Sequence, residues 1–223
     1  MNSEKNIAVI GIGRIGLCFA LNLERAGYNV IGYDIRQDYV NQINNKTFYS
    51  SEPGLDKLLQ NSVDFEATCS LEKTLDKSRL LFVNLRTDSD LDGKYNHDQI
   101  ESFLYKLKKL GVQKNKKHLV ICSNVQPGYT NTVAERLRSY NYDVSFNPET
   151  IAQGQIVKDQ VYPNILIIGE ENKRCGDEII SVYENMCKSN YSVHRMDRTS
   201  AEISKVGLNC SLTAKISMAN TIG

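Results

Sequence analysis

The 223-residue sequence predicts an α/β fold with a doubly wound, mostly parallel sheet. Short apolar runs alternate along the chain with segments whose apolar residues recur at helical spacing, which is typical of strands separated by crossover helices. The apolar runs have few polar interruptions, as expected for strands that helices cover on both faces. The first run is followed at once by a glycine-rich turn and a helix, so the fold begins with a strand–helix–strand unit.

Residues 6–34 form this first unit. The apolar run 7–10 predicts a strand, residues 14–26 predict a helix that Gly27 ends, and Asn29–Tyr33 predict the second strand. Asp34 follows the second strand and lies 18 residues after Gly16. An acid at this distance is placed to accept hydrogen bonds from the adenosine ribose of a dinucleotide.

A glycine turn with the spacing G-x-G-x-x-G joins the first strand to the helix. Gly11 permits the tight turn, Gly13 lets a pyrophosphate approach the backbone, and Gly16 lets the helix pack closely on the strand. The N-terminal end of the helix points its N–H groups at the phosphates. The alternative is a glycine turn in another kind of α/β protein, but strand, turn, helix and acid together indicate Rossmann-like dinucleotide binding. The predicted cofactor contacts in the turn are Gly11, Ile12, Gly13, Arg14, Ile15 and Gly16.

Asp34 and Arg36 bear on which dinucleotide binds. A carboxylate repels a 2′-phosphate, so Asp34 favours NAD over NADP. Arg36 keeps both NAD and NADP open as cofactors, because a nearby arginine can bind that phosphate. Alternatively, Arg36 is a solvated residue at the start of the next helix. Both residues are predicted to contact the cofactor.

The alternation continues to the end of the chain. Further strands are predicted at 64–68, 80–85, 117–123, 144–147, 164–169 and 191–194, and helices at 97–110, 130–140, 172–188 and from 199 onward. We therefore predict a doubly wound NAD-binding domain at 1–198, followed at 199–223 by a long helix that opens a further segment.

Composition excludes several classes of partner. The formal net charge of +1 offers no attraction for nucleic acid or an anionic membrane. No apolar run is long enough to cross a bilayer, and the N-terminus leads directly into a strand rather than a signal sequence. The six cysteines have no CxxC spacing, so we expect reduced thiols, no metal site and a cytoplasmic protein. Three of them lie in apolar patterns and are predicted to be core residues, namely Cys18, Cys122 and Cys210.

Six later segments, in order, resemble the N-terminal half of the UDP-glucose/GDP-mannose dehydrogenase family, the nucleotide-sugar 6-dehydrogenases. Among them, SEPGLDKLL places Glu52 and Pro53 near the start of a helix, and NPETIAQG places Glu149 just beyond a strand. The matching segments are 51–59 (SEPGLDKLL), 92–93 (DG), 123–128 (SNVQPG), 147–154 (NPETIAQG), 162–169 (YPNILIIG) and 201–209 (AEISKVGLN).

The resemblance implies a catalytic set of Glu149, Lys205 and Asn209. Glu149 would organise a water for hydrolysis, Lys205 would stabilise the developing alkoxide, and Asn209 would assist that charge or orient the water. Lys205 and Asn209 are four residues apart and share one helix face. Without the family context, the simpler interpretation would be a solvated Glu149, an exposed Lys205 and a packing Asn209. Substrate contacts are expected from Glu149, Thr150, Ile151, Lys205 and Asn209.

The sequence departs from the family pattern at several cofactor and active-site positions. Arg86 and Thr87 replace Pro-Thr after the fourth strand, which places a cation beside the expected nicotinamide pocket. Asn124 replaces a Thr after the fifth strand, and Gln153 replaces a Glu. We expect Arg86, Thr87, Asn124 and Gln153 to contact the cofactor, and these changes point to a different nucleotide sugar.

The family's reaction passes through a cysteine-bound thiohemiacetal and thioester, and none of the six cysteines lies in a segment like that of the family's nucleophile. The chain therefore resembles a truncated, cofactor-binding half, and we expect it to bind NAD without oxidising a nucleotide sugar by itself. Two alternatives stay open: a non-catalytic NAD-binding module and a relative of the 3-hydroxyacid dehydrogenases.

The resemblance also implies that residues 199–223 are the start of a long connecting helix of a helical central domain. It further implies self-association, because the long helix beginning near Thr199 forms a dimer core in that family. The helix carries an apolar face that suits such a contact, made up of Ile203, Val206, Leu212 and Ile216. We therefore expect a homodimer.

Overall fold

The computed structural model describes residues 5–90, 92–152 and 154–222. Its strands are β1 (Asn6–Ile10), β2 (Asn29–Tyr33), β3 (Glu66–Thr68), β4 (Leu80–Val83), β5 (Lys117–Ile121), β6 (Tyr142–Phe146), β7 (Ile165–Gly169) and β8 (Ser192–Met196). Within the described residues they form one eight-stranded sheet in the order β3-β2-β1-β4-β5-β6-β7-β8. The predicted doubly wound, mostly parallel, Rossmann-like sheet is confirmed.

The helices between the strands are α1 (Arg14–Arg25), α2 (Gln37–Asn44), α3 (Leu55–Asn61), α4 (Leu71–Lys77), α5 (Asp98–Lys109), α6 (Tyr129–Arg138), α7 (Ile156–Asp159), α8 (Lys173–Met186) and α9 (Arg198–Ile222). Helices α4 and α7 were not predicted from the sequence. In the part of the chain that the structure describes, no helix combines the length and apolar character needed to cross a membrane.

The order of the strands reverses at β1. The chain moves outward from β1 to β2 and β3, then returns to the other side of β1 with β4 and continues outward. Within the described sheet, six of the seven neighbouring strand pairs are parallel. The seventh, the short β6–β7 contact between Phe146 and Gly169, is antiparallel. A crevice opens between the loops that follow β1 and β4, at the position where parallel α/β sheets bind ligands.

Two apolar layers cover the sheet, one on each face. Ile7 and Val9 of β1 join the layer formed with α1, α3 and α8, whereas Ala8 and Ile10 join the layer formed with α4, α5 and α6. Side chains alternate between the two faces of a strand. A strand that is apolar at successive positions therefore fits a sheet with helices on both sides.

Strand β3 is shorter than predicted, because the backbone N–H groups at its predicted start bond to a side chain of α1 and not to a neighbouring strand. The backbone N–H groups of Val63, Asp64 and Phe65 donate to Oε1 of Glu24 over 2.8, 2.7 and 2.9 Å. These donors are therefore satisfied by a carboxylate of α1 and not by a neighbouring strand. The ladder begins only at Glu66, which pairs with Ile31.

Helix α9 is anchored at its N-terminal end. The buried carboxylate of Glu202 accepts hydrogen bonds from the backbone N–H groups of Gly128 and Thr130 over 2.5 and 2.8 Å. From Cys210 onward the described side chains of α9 are exposed. The expectation of a core position is therefore correct for Cys18 and Cys122 but wrong for Cys210, because this part of the helix extends away from the sheet.

Candidate active site

Five of the predicted cofactor residues line a cleft at the carboxyl ends of β1, β2 and β4, namely Gly11, Gly13, Asp34, Arg36 and Arg86. The cleft has a volume of about 540 Å³ and contains both the glycine turn and the predicted adenosine acid. Its walls include Gly11, Gly13, Asp34, Arg36, Asn84 and Arg86, together with Asp98, Gln99, Ser102, Phe103 and Lys106 from α5. The cleft occupies the crevice at which the strand order reverses.

The three glycines of the turn differ in their backbone angles and in the space around them. Gly11 has a φ of 83°, which favours glycine, and a Cβ there would lie 2.8 Å from the backbone oxygen of Asn84. A Cβ on Gly16 would lie 2.0 Å from the backbone oxygen of Gly11, so helix and turn pack too closely for a side chain. Gly13 has an ordinary φ of −63°, and a Cβ there would have no described atom within 4 Å. The described fold itself therefore leaves room for a side chain at Gly13, and contact of Gly13 with a pyrophosphate stays a prediction.

The remaining turn residues differ in exposure. Ile12 is buried and its backbone oxygen accepts a hydrogen bond from the hydroxyl of Tyr39 over 2.7 Å. Arg14 and Ile15 are exposed in the first turn of α1. Of the six turn residues, Gly11 and Gly13 line the cleft. Contact of each of the six with the cofactor stays a prediction.

Asp34 lies at the end of β2 with its side chain 9% exposed. Both of its carboxylate oxygens are engaged by Arg36, because Nε is 2.9 Å from Oδ1 and Nη2 is 3.0 Å from Oδ2. Arg36 is therefore not a detached solvated residue, although it does immediately precede α2. The acid lies in the cleft as expected, and it is already paired with a cation.

The other predicted cofactor residues follow β4 and β5. Arg86 lines the cleft and forms an exposed ion pair with Asp88 over 2.5 Å. Thr87 and Asn124 are partly buried in the loops after β4 and β5. Gln153 lies outside the described residues. Contact of Arg86, Thr87 and Asn124 with the cofactor is not tested by this geometry.

Asn84 is a cleft residue that was not predicted from the sequence. Its Nδ2 atom is buried and has no hydrogen-bond partner among the described residues. An unsatisfied buried donor is costly unless a ligand or water completes it. Because Asn84 lines the cleft beside Gly11, its amide fits a polar group of the cofactor. The signal was present in the sequence, as a polar residue directly after an apolar strand.

Glu149 lies beyond the carboxyl end of β6, as predicted, and is partly exposed. Its Oε1 accepts a hydrogen bond from Nε2 of Gln160 over 3.2 Å. Burial raises the pKa of Glu149 to about 7, although the hydrogen bond from Gln160 and the charge of Lys205 act in the opposite direction. A carboxyl with a pKa near neutrality can both hold and release a proton under physiological conditions.

Lys205 is brought to the same place by α9. Its side-chain nitrogen donates a hydrogen bond to the backbone oxygen of Glu149 over 2.7 Å. The residue is only 9% exposed, and burial lowers the pKa of its amine while the charge of Glu149 opposes that change. The structure therefore unites Lys205 with the segment that carries Glu149.

Asn209 is not joined to this pair. It lies one helical turn beyond Lys205 and is partly buried, but within the described residues no hydrogen bond links its side chain to Glu149 or Lys205. Thr150 and Ile151 are also engaged within the fold: the Thr150 hydroxyl donates to the backbone oxygen of Ile165 over 3.2 Å, and Ile151 packs on the apolar core. Substrate contact by these three residues stays a prediction.

The loop after Glu149 is ordered by Glu52. Its carboxylate is 3% exposed and accepts hydrogen bonds from the backbone N–H groups of Gly154 and Ile156, over 3.2 and 2.7 Å. We expected this acid at the start of its own helix, but α3 begins at Leu55 after Gly54, which has a φ of 82°. The correction gives Glu52 a place in the site, since it caps α7, which carries Lys158 and Asp159 next to Gln160.

Burial keeps the described thiols near this site in the neutral form. It raises the pKa of Cys18 to about 12 and that of Cys187 to about 11, and it raises the pKa of Cys122 well above its usual range; the charge of Glu149 adds to each shift. A thiol needs a lowered pKa to act as a strong nucleophile near neutral pH. Cys18 and Cys122 are core residues, and Cys187 is partly buried against the core.

Comparison with known proteins agrees with this geometry. Residues 5–187 match the model of the UDP-glucose/GDP-mannose dehydrogenase family, NAD binding domain. The uncharacterized protein MJ1054 of Methanocaldococcus jannaschii is 32% identical over 97% of this chain and 25% of its own length. GDP-mannose 6-dehydrogenase of Pseudomonas syringae pv. tomato is 29% identical over 97% of this chain and 52% of its own length.

A solved structure extends the agreement to three dimensions. The ternary complex of GDP-mannose dehydrogenase from Pseudomonas aeruginosa matches with a TM-score of 0.90 and 27% identity, over 97% of this chain and 52% of that one. The chain thus spans about half the length of the GDP-mannose dehydrogenases it matches. With its strand order, its glycine turn and its match over residues 5–187, the chain belongs to the UDP-glucose/GDP-mannose dehydrogenase family and carries that family's NAD-binding domain.

Proposed function

We propose that this chain is the cofactor-binding half of an NAD-dependent dehydrogenase that oxidises the C6 hydroxyl of a nucleotide sugar to the uronic acid. The observation that carries the proposal is the pairing of two sites on one sheet. The cleft holds the glycine turn and Asp34, and the adjoining edge holds Glu149 with Lys205 bonded to its backbone oxygen. A dinucleotide site next to a titrating acid and a cation suits oxidation of an alcohol.

The cleft residues fit NAD. Gly13 leaves open space at the backbone, Asn84 offers a buried donor, and Asp34 retains lone pairs for ribose hydroxyls beside its contacts with Arg36. When bound, the nicotinamide ring supplies the two-electron acceptor. The pyrophosphate would lie against Gly13 at the N-terminus of α1, where backbone N–H groups and the helix dipole favour negative charge.

Lys205 would act on the hydroxyl that is oxidised. As that hydroxyl loses its proton, negative charge develops on the C6 oxygen, and a fixed ammonium group lowers the energy of this charge. The hydrogen bond to the Glu149 backbone oxygen holds the Lys205 side chain in place and leaves further N–H groups for the substrate. Asn209, one turn later on α9, would assist from the same helix face.

Glu149 would manage the proton of a water during the hydrolysis step. Its pKa of about 7 makes both protonation states accessible near neutral pH. The backbone of the segment from Glu149 to Ile151 would also contact the nucleotide sugar, because the side chains of Thr150 and Ile151 are used within the fold. Which sugar is bound would depend on these contacts and on surfaces contributed by the longer protein.

The proposed organisation divides the chain at residue 198, with the NAD-binding domain before it and the start of a connecting helix after it. Self-association through α9 is part of the proposal. Leu212 and Ile216 are four residues apart on one face of α9 and are 52% and 60% exposed, whereas Ile203 is 55% exposed on a different side of the helix. The exposed pair of Leu212 and Ile216 suits a partner helix from a second copy.

The proposal is tested by NADH formation with this chain and with any longer gene product that contains it. The purified protein is mixed with NAD⁺ and, separately, with GDP-mannose, UDP-glucose and their N-acetylated relatives. We expect one of these sugars to yield NADH in a two-to-one ratio to sugar, with the uronic acid as product. A protein that binds NAD⁺ but forms no NADH with any nucleotide sugar would contradict the proposal and favour a non-catalytic module.

A further inference from the structure

Arg36 forms a two-pronged clamp on Asp34 at the adenosine end of the cleft. Its Nε and Nη2 atoms lie 2.9 and 3.0 Å from the two carboxylate oxygens, and its backbone N–H donates to Oδ1 over 3.1 Å. The Asp34 side chain is 9% exposed, whereas that of Arg36 is 57% exposed. The carboxylate thus lies below a guanidinium group that faces the open cleft and neutralises its charge.

A tyrosine fixes the position of this guanidinium group. The central carbon of Arg36 lies 4.1 Å from the centre of the Tyr39 ring, a distance at which a cation and an aromatic face attract each other. The Tyr39 hydroxyl in turn donates to the backbone oxygen of Ile12 over 2.7 Å. Arg36 is therefore held between the acid and a ring that is tied to the glycine turn.

A second cation lines the same end of the cleft. Lys106 of α5 lies 3.4 Å from the hydroxyl of Tyr33, the residue before Asp34. The charged residues that line the cleft are Arg36, Arg86 and Lys106, with three positive charges, and Asp34 and Asp98, with two negative charges, so the lining is positive by one charge. A lone carboxylate repels a 2′-phosphate, but a carboxylate covered by one cation and flanked by another does not present that repulsion.

We infer that the adenosine end of this cleft accepts a 2′-phosphate, so that the chain binds NADP(H) as well as NAD(H), and that Arg36 sets the ratio of the two affinities. The inference rests on the proposed function only in requiring that a dinucleotide bind in this cleft. The described contacts with Asp34 use Nε and Nη2 of Arg36, so Nη1 can donate to a phosphate while the clamp stays closed. NAD remains the cofactor of the domain, because ribose hydroxyls can donate to the remaining lone pairs of Asp34.

Calorimetric titration of this chain with NAD⁺ and NADP⁺ tests the inference. In the wild-type chain we expect NADP⁺ to bind within about tenfold of NAD⁺. In Arg36→Ala the ratio of the NADP⁺ to the NAD⁺ dissociation constant should rise about 10- to 100-fold, the effect of losing a charge-assisted hydrogen bond. Arg36→Lys should give an intermediate ratio, because it keeps the charge without the planar fork. Lys106→Gln should raise the ratio less than Arg36→Ala.

Lys108→Gln is the matched control, because it removes a cation from the same helix at a position that does not line the cleft; its ratio should equal that of the wild type. Binding of NAD⁺ without measurable NADP⁺ binding in the wild-type chain would overturn the inference and leave the cofactor site intact. An unchanged ratio in Arg36→Ala would overturn the role of Arg36. Failure of both dinucleotides to bind the folded chain would instead overturn the proposed cofactor site, and the inference with it.

Discussion

The side-chain amide of Gln160 donates a hydrogen bond of 3.2 Å to the carboxylate of Glu149. The same nitrogen lies 3.4 Å from the backbone oxygen of Ile15, in the first turn of α1, and the Gln160 oxygen accepts from Nδ2 of Asn22 over 3.1 Å. One buried side chain therefore connects the helix that faces the predicted pyrophosphate with the acid at the edge of the proposed sugar site. We regard Gln160 as a positioning residue for Glu149.

We predict that Gln160→Leu raises the pKa of Glu149 above its value of about 7. The hydrogen bond from Gln160 favours the charged form of the acid, so its loss leaves desolvation less opposed. The carboxyl carbon shift of Glu149, followed by NMR against pH, measures this change. Gln155→Leu, an exposed change beside α7, is the control. A Glu149 pKa that stays constant or falls in Gln160→Leu would contradict the assignment.

We also predict a pH-dependent stability difference between the wild type and Glu149→Gln. The pKa of Glu149 is raised on folding from an ordinary value of about 4.3 to about 7, so the folded chain holds more protons in that interval. The wild type should therefore lose stability relative to Glu149→Gln as pH rises from 5 to 8, by at most about 3 kcal/mol. Urea unfolding at several pH values measures the difference.

Glu135→Gln is the control for this series, because Glu135 is exposed on α6. Its stability relative to the wild type should be the same at each pH. A wild type that gains stability relative to Glu149→Gln as pH rises would show that the Glu149 pKa is lowered on folding instead of raised.

The first strand–helix–strand unit could be predicted closely from the sequence, because its signals are local. Residues 7–10, the glycine turn and the acid after Tyr33 each lie within a few positions of the element they define, and β2 has the predicted bounds. Glu149 could be placed beyond its strand for the same reason.

The parts that could not be predicted depend on contacts between distant segments. Helix α7 is only four residues long and is capped by Glu52, about a hundred positions earlier in the chain. The start of β3 is set by Glu24, and the amide of Gln160 reaches Glu149 only because α7 packs beside α1. Helix α4 had a local signal that was missed, since Ser70 accepts a hydrogen bond from the backbone N–H of Lys73 at its N-terminus.

The geometry of the glycine turn predicts different effects on the free energy of unfolding at Gly13 and at Gly16. Gly13→Val should leave the free energy of unfolding within about 1 kcal/mol of the wild type, because Gly13 has an allowed φ and open space around it. Gly16→Ala should lose about 2–4 kcal/mol, because its methyl group would meet the backbone oxygen of Gly11. Thermal and urea unfolding compare the two. Equal stability in both variants would contradict the packing described for this turn.

Lys205 is predicted to act on the rate of the proposed oxidation in any gene product that contains this chain and forms NADH. Lys205→Ala should lower the rate of NADH formation by about 100-fold or more, the scale for losing one donor to a developing oxyanion, with a smaller effect on the affinity for NAD⁺. Lys215→Ala removes an exposed lysine from the same helix and is the matched control. Unchanged turnover in Lys205→Ala would remove Lys205 from the catalytic set.

The most direct test of the central claim is a calorimetric titration of NAD⁺ into this chain and into Gly13→Val. We predict that the wild type binds one NAD⁺ per chain, and that Gly13→Val keeps its fold but loses at least about 100-fold in affinity, because the valine side chain fills the space where the pyrophosphate approaches the backbone. Equal affinity in two folded proteins would contradict this assignment of the cofactor site.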